Sequence, residues 1–215
     1  MSVTLTFEQA RVLGSLIEKQ MTTPDYYPMT VNALVSACNQ KNNREPVTAF
    51  DEADVERILG ELNGLGLTRF TRASGSRTLK YVHKGLDVLA VDDEQLAILA
   101  IMLLRGPQTI AELKTRTERY IAFTGIDHVE ERVHDLMSRD EPLVIESERV
   151  TGQRETRYQT LLVDHPMASH ASAEPVLATR PSRSELEARV DRLEHIVARL
   201  VDELGIELSD PLEEE

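Results

Sequence analysis

Six histidines, one cysteine and 37 aspartates and glutamates, in a chain of 215 residues, are the side chains here that could ligate a metal or move a proton. Their spacing argues against both. His128 and His134 stand six apart, about 240° round a helix of 3.6 residues per turn, so they cannot share one ion. Cys38 has no second thiol with which to build a thiolate site or an internal disulfide, and it suits a small buried hydrophobe on an apolar helix face. Asp51, Glu52, Asp54 and Glu56 crowd together as cation ligands or an acid/base pair would, but they open a helical pattern, where the dipole attracts acids without any site. Gly60, Gly64 and Gly66 follow a helix and not a strand, which suits a C-terminal cap better than a phosphate-cradling loop. No H-E-x-x-H, G-x-S-x-G or G-x-x-x-x-G-K-[S/T] run occurs. We therefore expect no catalytic residue, no metal and no cofactor, and an enzyme is the function class with least support.

The chemistry that these residues do support is ionic adhesion. Arg69, Arg72, Arg77, Lys80 and Lys84 fall within residues 67–86 with no acidic residue among them. Lys41 and Arg44 lie upstream in a loop rich in Asn39, Gln40, Asn42 and Asn43. Five to seven such cations would contact nucleic-acid phosphates, with binding that weakens steeply as salt rises. The competing explanation is that charged hairpin edges resist edge-to-edge aggregation. The rest of the chain is anionic: the net charge of −13 divides into +1 over residues 1–86, −6 over 87–163 and −8 over 164–215. Screening over ~8 Å at physiological salt lets a local basic patch act on its own within such a field.

The elements that carry these residues occur twice. Thr6 caps a first helix whose Ala10, Leu13, Leu16, Ile17 and Met21 form one apolar stripe, and Asp92 or Asp93 opens its counterpart with Leu96, Leu99, Met102 and Leu103. Val55, Leu59 and Leu62 map onto Val129, Val133 and Leu136. Gly75 to Tyr81 and Gly152 to Tyr158 both read G-x-R-x-x-[K/R]-Y. Each copy predicts three helices and then a hairpin: helices from Thr6, from Thr30 to about Asn39 and from Asp51 to Leu65, with strands at Leu67–Phe70 and Leu79–Val82 around Ser74-Gly75-Ser76. The second copy predicts helices near 93–105, 109–117 and 126–138 and strands near 143–147 and 156–162. This is the plan of a winged-helix domain, the helix-turn-helix variant whose hairpin is the wing, and an unrelated small α+β domain is the alternative. The expected fold is α+β, mainly α, with two winged-helix domains in tandem at 1–86 and 87–163.

A winged helix commonly reads DNA with its third helix in the major groove. Here that helix carries −4 over residues 51–65 in the first copy and −3 over 126–138 in the second, so neither suits a phosphate-lined groove. Residues 164–181, rich in Ala, Ser and Pro, read as a linker that holds His165 and His170. Ser182 and Glu185 then form a capping-box pattern, and Leu186, Val190, Leu193, Val197, Leu200 and Leu204 follow at heptad spacing in a helix over 182–205, before an acidic tail at 206–215. That seam predicts a parallel homodimer; packing on the chain's own body is the alternative, favoured by Ile196 and Val201. The longest apolar run, Leu96 to Leu104, is nine residues against the ~20 that span a bilayer, so no membrane is expected. A single cysteine and an N-terminus without an apolar export segment predict a cytoplasmic protein.

Ile17-Glu18-Lys19, Thr22-Thr23-Pro24-Asp25-Tyr26-Tyr27-Pro28, Asn32-Ala33-Leu34 and Ala37-Cys38-Asn39-Gln40-Lys41-Asn42-Asn43-Arg44-Glu45-Pro46-Val47 together form a long, specific signature. It resembles that of the YceH-like family of bacterial proteins, from whose usual pattern Asn42 and Glu45 depart by single conservative changes. The resemblance extends over the hairpin and the heptad helix; it implies tandem winged helices and a cytoplasmic setting, and no activity. Pro24, Pro28 and Pro46 stiffen the signature stretch, which is either a strap held against the domain or a docking loop offering Tyr26 and Tyr27. The expected function is a non-catalytic, DNA-associated regulator that binds through the first wing; the alternative is a protein–protein adaptor without nucleic-acid contact.

Overall fold

In the computed structural model, which describes residues 3–72, 78–147 and 155–164, Thr6 opens the first helix with a reciprocal cap. Its hydroxyl accepts from the Gln9 amide at 3.2 Å while the Gln9 side chain accepts from the Thr6 amide at 3.0 Å. Helix α1 runs Phe7–Thr22 and is followed by a single 3₁₀ turn at Pro24–Tyr26, then α2 (Val31–Cys38) and α3 (Glu52–Gly64). Asp51 and Asp54 cap α3 in the same reciprocal way, so two of the crowded acids satisfy orphan backbone donors. Gly66 ends the helix at φ 74°, a left-handed conformation that a side chain resists, and the Leu67 amide returns to Leu62 O at 2.9 Å. That turn launches β1 (Thr68–Thr71), which pairs antiparallel with β2 (Lys80–His83).

The second half repeats the order. After a short connecting helix α4 (Gly85–Leu89), which the sequence reading did not anticipate, come α5 (Asp93–Arg105), α6 (Ile110–Thr117), α7 (Ile126–Met137) and an antiparallel pair of β3 (Val144–Glu146) and β4 (Tyr158–Thr160). The fold is thus mainly helical with two small antiparallel sheets, as expected, and the element ends fall within a residue or two of those predicted. The aligned tyrosines also occupy equivalent places. Tyr81 exchanges two backbone hydrogen bonds with Met29, and Tyr158 exchanges two with Gln108, so a residue ahead of each second helix adds a single rung on the outer side of its hairpin's second strand. Thr30 and Thr109, the next residues along, cap α2 and α6.

The two halves share one core. Every residue from Gln95 to Leu104 in α5 is buried, as its apolar run Leu96–Leu104 requires, and α1 packs along it. The contact is close at Gly14, where an added Cβ would lie 2.9 Å from Leu104 Cγ and 3.2 Å from Leu103 Cβ. Leu5 fastens the start of the chain to the end of the second half, donating to Leu162 O at 2.7 Å and accepting from the Asp164 amide at 2.9 Å. Residues 1–166 form one compact unit. The hairpin turn at 73–77, the second turn at 148–154, the linker, the heptad helix with its seam of Leu186, Val190, Leu193, Val197, Leu200 and Leu204, and the acidic tail lie outside the described residues.

Candidate partner-binding surface

Side chains alternate across a strand, and directly opposed residues share a face. The register Arg69↔Val82 and Thr71↔Lys80 therefore puts Arg69 and Lys80 on one face of the first hairpin, and Phe70↔Tyr81 puts the two rings on the other. Arg69, Arg72 and Lys80 are exposed, and among the described residues no carboxylate lies within 4.0 Å of any of them. Lys41 is exposed in the loop after α2. Arg77 lies outside the described residues. Phe70, 57% exposed between Arg69 and Arg72, was not singled out from the sequence; an aromatic flanked by cations in a strand was the available signal. His83 adds no charge to the hairpin, because burial and the neighbouring Lys84 push its pKa down to about 4.

Two of the expected contact residues are placed otherwise. Lys84 turns toward α4 and bonds Asp87 at 2.8 Å, so the first acid beyond the basic stretch neutralises its last cation. The Asp87 carboxyl is held below its ordinary value by that hydrogen bond. Arg44 corrects the expectation outright: it is buried, with Nε donating to Ala37 O at 3.0 Å, Nη1 to Asn43 O at 2.9 Å and Nη2 to the Glu18 carboxylate. A guanidinium held on three sides inside the protein has no face for a phosphate.

Arg44 belongs to a buried network that shows what the signature stretch does. Arg11, Ser15 and Glu18 recur at spacings of four and three on α1 and form a polar row that the loop 39–50 covers. Arg11 donates to Pro46 O at 2.7 Å and Thr48 Oγ1 at 3.3 Å, and Asn39 clasps Phe50 through both its amide nitrogen, at 2.7 Å, and its oxygen, at 2.9 Å. Burial would raise the Glu18 carboxyl, but hydrogen bonds and charge from Arg44, with Lys19 beside it, hold it below the usual value. Burial, with Arg44 nearby, lowers Arg11 to about 10. Tyr120 from the second half donates to Glu18 at 3.2 Å, and the Glu45 amide donates to Leu104 O at 2.9 Å. The stretch is a strap across both halves. Tyr27 is half-buried, its hydroxyl accepting from the His83 amide at 2.7 Å, while Tyr26 is 80% exposed.

The third helices offer no unpaired arginine. Arg57 on α3 bonds Glu8 at 2.8 Å and Glu61 at 2.9 Å, and Arg132 on α7 bonds Asp135 at 2.6 Å and Asp92 at 3.2 Å. His128 lies 3.1 Å from Glu94 and edge-on to Phe123. Cys38 is fully buried, and burial raises its thiol pKa. Among the described residues there is no group of three or more His, Cys, Asp or Glu arranged to hold a metal, and no helix long and apolar enough to cross a membrane.

Residues 5–153 match the model of a family described as "Protein of unknown function, DUF480". The chain is 45% identical over 199 residues to a UPF0502 protein of Geobacter metallireducens, covering 92% of this chain and 90% of the relative. It is 42% identical over 220 residues to a UPF0502 protein of Pseudoalteromonas atlantica, covering 95% of each. A UPF0502 protein of Shewanella oneidensis is 41% identical over 214 residues, with 93% of this chain and 96% of the relative covered.

Proposed function

The chain belongs to the DUF480 (UPF0502) family of bacterial proteins, and from its charge distribution we propose that this member is a non-catalytic, DNA-associated regulator of tandem winged-helix type. It binds duplex backbone through its first hairpin and not through its third helices. The observation that carries this reading is the exposed group of Arg69, Arg72 and Lys80, which among the described residues has no carboxylate within ion-pair distance, on an otherwise anionic molecule, with the arginines of α3 and α7 already taken by acids. The winged-helix reading draws support from the repeated order of three helices and a hairpin with an added rung before each second helix. The heptad seam at 186–204 pairs two copies and so doubles the cations offered to one duplex.

Phosphate contacts position a protein without reading bases, so affinity for nonspecific duplex is expected to fall with salt. With Lys41, Arg69, Arg72 and Lys80 each on one phosphate, the slope of log K against log salt is roughly −3 to −4. Fluorescence anisotropy of a labelled duplex across a salt series measures it. Arg69→Glu with Lys80→Glu is expected to abolish binding while leaving the melting temperature unchanged, since both side chains are exposed. No binding by the unaltered protein even at low salt would sink the reading and leave the adaptor, which the exposure of Phe70 and Tyr26 favours as the second reading.

A further inference from the structure

A small cavity of about 150 Å³ lies where the signature loop meets α5 and the end of α6, walled by Asn43, Arg105, Thr115, Arg116, Arg119 and Tyr120. Among the described residues that line it three are arginines and none is acidic, in a protein of net charge −13. We propose that this cavity binds a single phosphate group of a small ligand, held by the guanidiniums of Arg105, Arg116 and Arg119.

The neighbouring hydroxyls are committed elsewhere. Tyr120 gives its hydroxyl proton to Glu18 at 3.2 Å, and Thr115 gives its own to Ala111 O at 3.1 Å. Arg116 pairs with one oxygen of Glu112 at 3.3 Å, and the other oxygen of that carboxylate accepts from Arg157, at 2.8 Å, and from the Thr109 amide, at 2.9 Å, so the one acid is shared among three donors. Arg119 is exposed at the rim, and among the described residues no carboxylate lies within ion-pair distance of it. Arg105 spends one nitrogen on the Asn43 amide oxygen. Its charge is disfavoured by burial and by Arg116 across the cavity, with Glu45 and Tyr120 opposing only in part. An anion in the cavity removes that strain.

The ligand class follows from shape and charge. Arginine forks match the oxygens of phosphate two at a time, which a carboxylate offers in one plane only. The volume is below the ~300 to 1,000 Å³ of pockets that enclose whole drug-sized molecules, so the phosphate enters and the remainder of an ester stays outside. The site is separate from the first hairpin and does not depend on DNA binding.

Titration of the full chain with sodium phosphate, against sodium chloride at equal ionic strength, tests it by thermal shift and calorimetry. Phosphate is expected to raise the melting temperature saturably, at millimolar concentration or below, and Arg119→Ala to weaken binding about tenfold or more without moving the melting temperature in chloride. Arg105→Lys is a second variant that keeps the charge and loses the fork; it is expected to weaken binding as well. Glycerol phosphate run beside inorganic phosphate distinguishes the sources: tighter binding of the ester assigns a phosphorylated metabolite, tighter binding of the free ion assigns inorganic phosphate. Arg69→Glu with Lys80→Glu leaves the titration unchanged. Stabilisation no greater than chloride gives, or equal phosphate affinity in Arg119→Ala, overturns the proposal. Displacement of phosphate by duplex DNA also overturns it, by assigning the arginines to a nucleic-acid backbone.

Discussion

At Arg44 the guanidinium directs its donors to Ala37 O, Asn43 O and the Glu18 carboxylate inside the protein, whereas at Arg69 the same group stands in solvent. The difference lies in what each one's removal leaves behind. Arg44→Leu leaves the buried Glu18 carboxylate with only Lys19 and Tyr120 and two carbonyls without their donor, and is expected to cost about 3 kcal/mol of stability in urea denaturation. Replacing Glu18 by Leu in the same chain should recover much of that loss, because the uncompensated charge goes with it. Arg44→Lys does not substitute, since one ammonium cannot reach three acceptors in a planar fork. The pair also sets a direction with pH. The folded-state Glu18 carboxyl is depressed below its ordinary 4.5, so its contribution is whole above that value and is lost as pH falls through the lower, folded value. Arg69→Leu, by contrast, is expected to leave stability within about 0.5 kcal/mol of the original.

Helices α1 and α5 are equivalent elements of the two halves, and each is the most buried helix of its own copy. What lets them lie together is Gly14, whose missing side chain admits Leu103 and Leu104. Glycine inside a helix costs about 1 kcal/mol against alanine, so its presence here reflects the close approach and not local preference. Gly14→Val places a branched side chain on backbone-proximal atoms of α5, and is expected to destabilise by about 3 kcal/mol, read as a lowered denaturation midpoint. The same substitution at Gly60, where an added Cβ meets nothing within 4 Å, serves as control and should change stability by less than about 1 kcal/mol. At the hairpin the element decides function instead of stability. Period-two alternation separates the cations Arg69 and Lys80 from the rings of Phe70 and Tyr81, so a phosphate backbone and a base or an apolar surface would meet different faces.

Over the whole molecule the repeat is a property of the chain and the core is a property of the pair. Leu5 latches onto Leu162, the strap carrying Arg44 reaches Leu104 and Tyr120, and the hydrophobic cluster runs through Leu34 and Leu62 to Leu113 and Val133. Residues 1–166 are therefore expected to unfold in one cooperative transition. Leu34→Ala in the first half and Leu113→Ala in the second should each lower that single midpoint, by about 2 to 5 kcal/mol, with circular dichroism and tyrosine fluorescence coinciding. Two separated transitions, each sensitive to only one of these changes, would show that the halves fold independently.

Element type and order were legible from residue types alone, because capping residues, helical periodicity and turn residues act over a few positions. Thr6, Asp51, Asp92 and Thr109 announce helix starts wherever the helices later go. The repeat was legible for the same reason, through Tyr81 and Tyr158. The added rungs at Met29 and Gln108, the latch at Leu5 and the strap were not, since the rungs and the latch join residues at least 50 positions apart, the strap ties Arg44 to Glu18 across 26, and none leaves a local period. The basic residues show the division most plainly. Composition could place Arg44, Arg69 and Lys84 in one group, but charge does not encode its neighbours. Only the packed chain, by bringing Glu18 under the loop and Asp87 beside the hairpin, decided which cations face solvent. The three arginines of the small cavity lie on α5, on α6 and in the turn after α6, and were joined by that same packing.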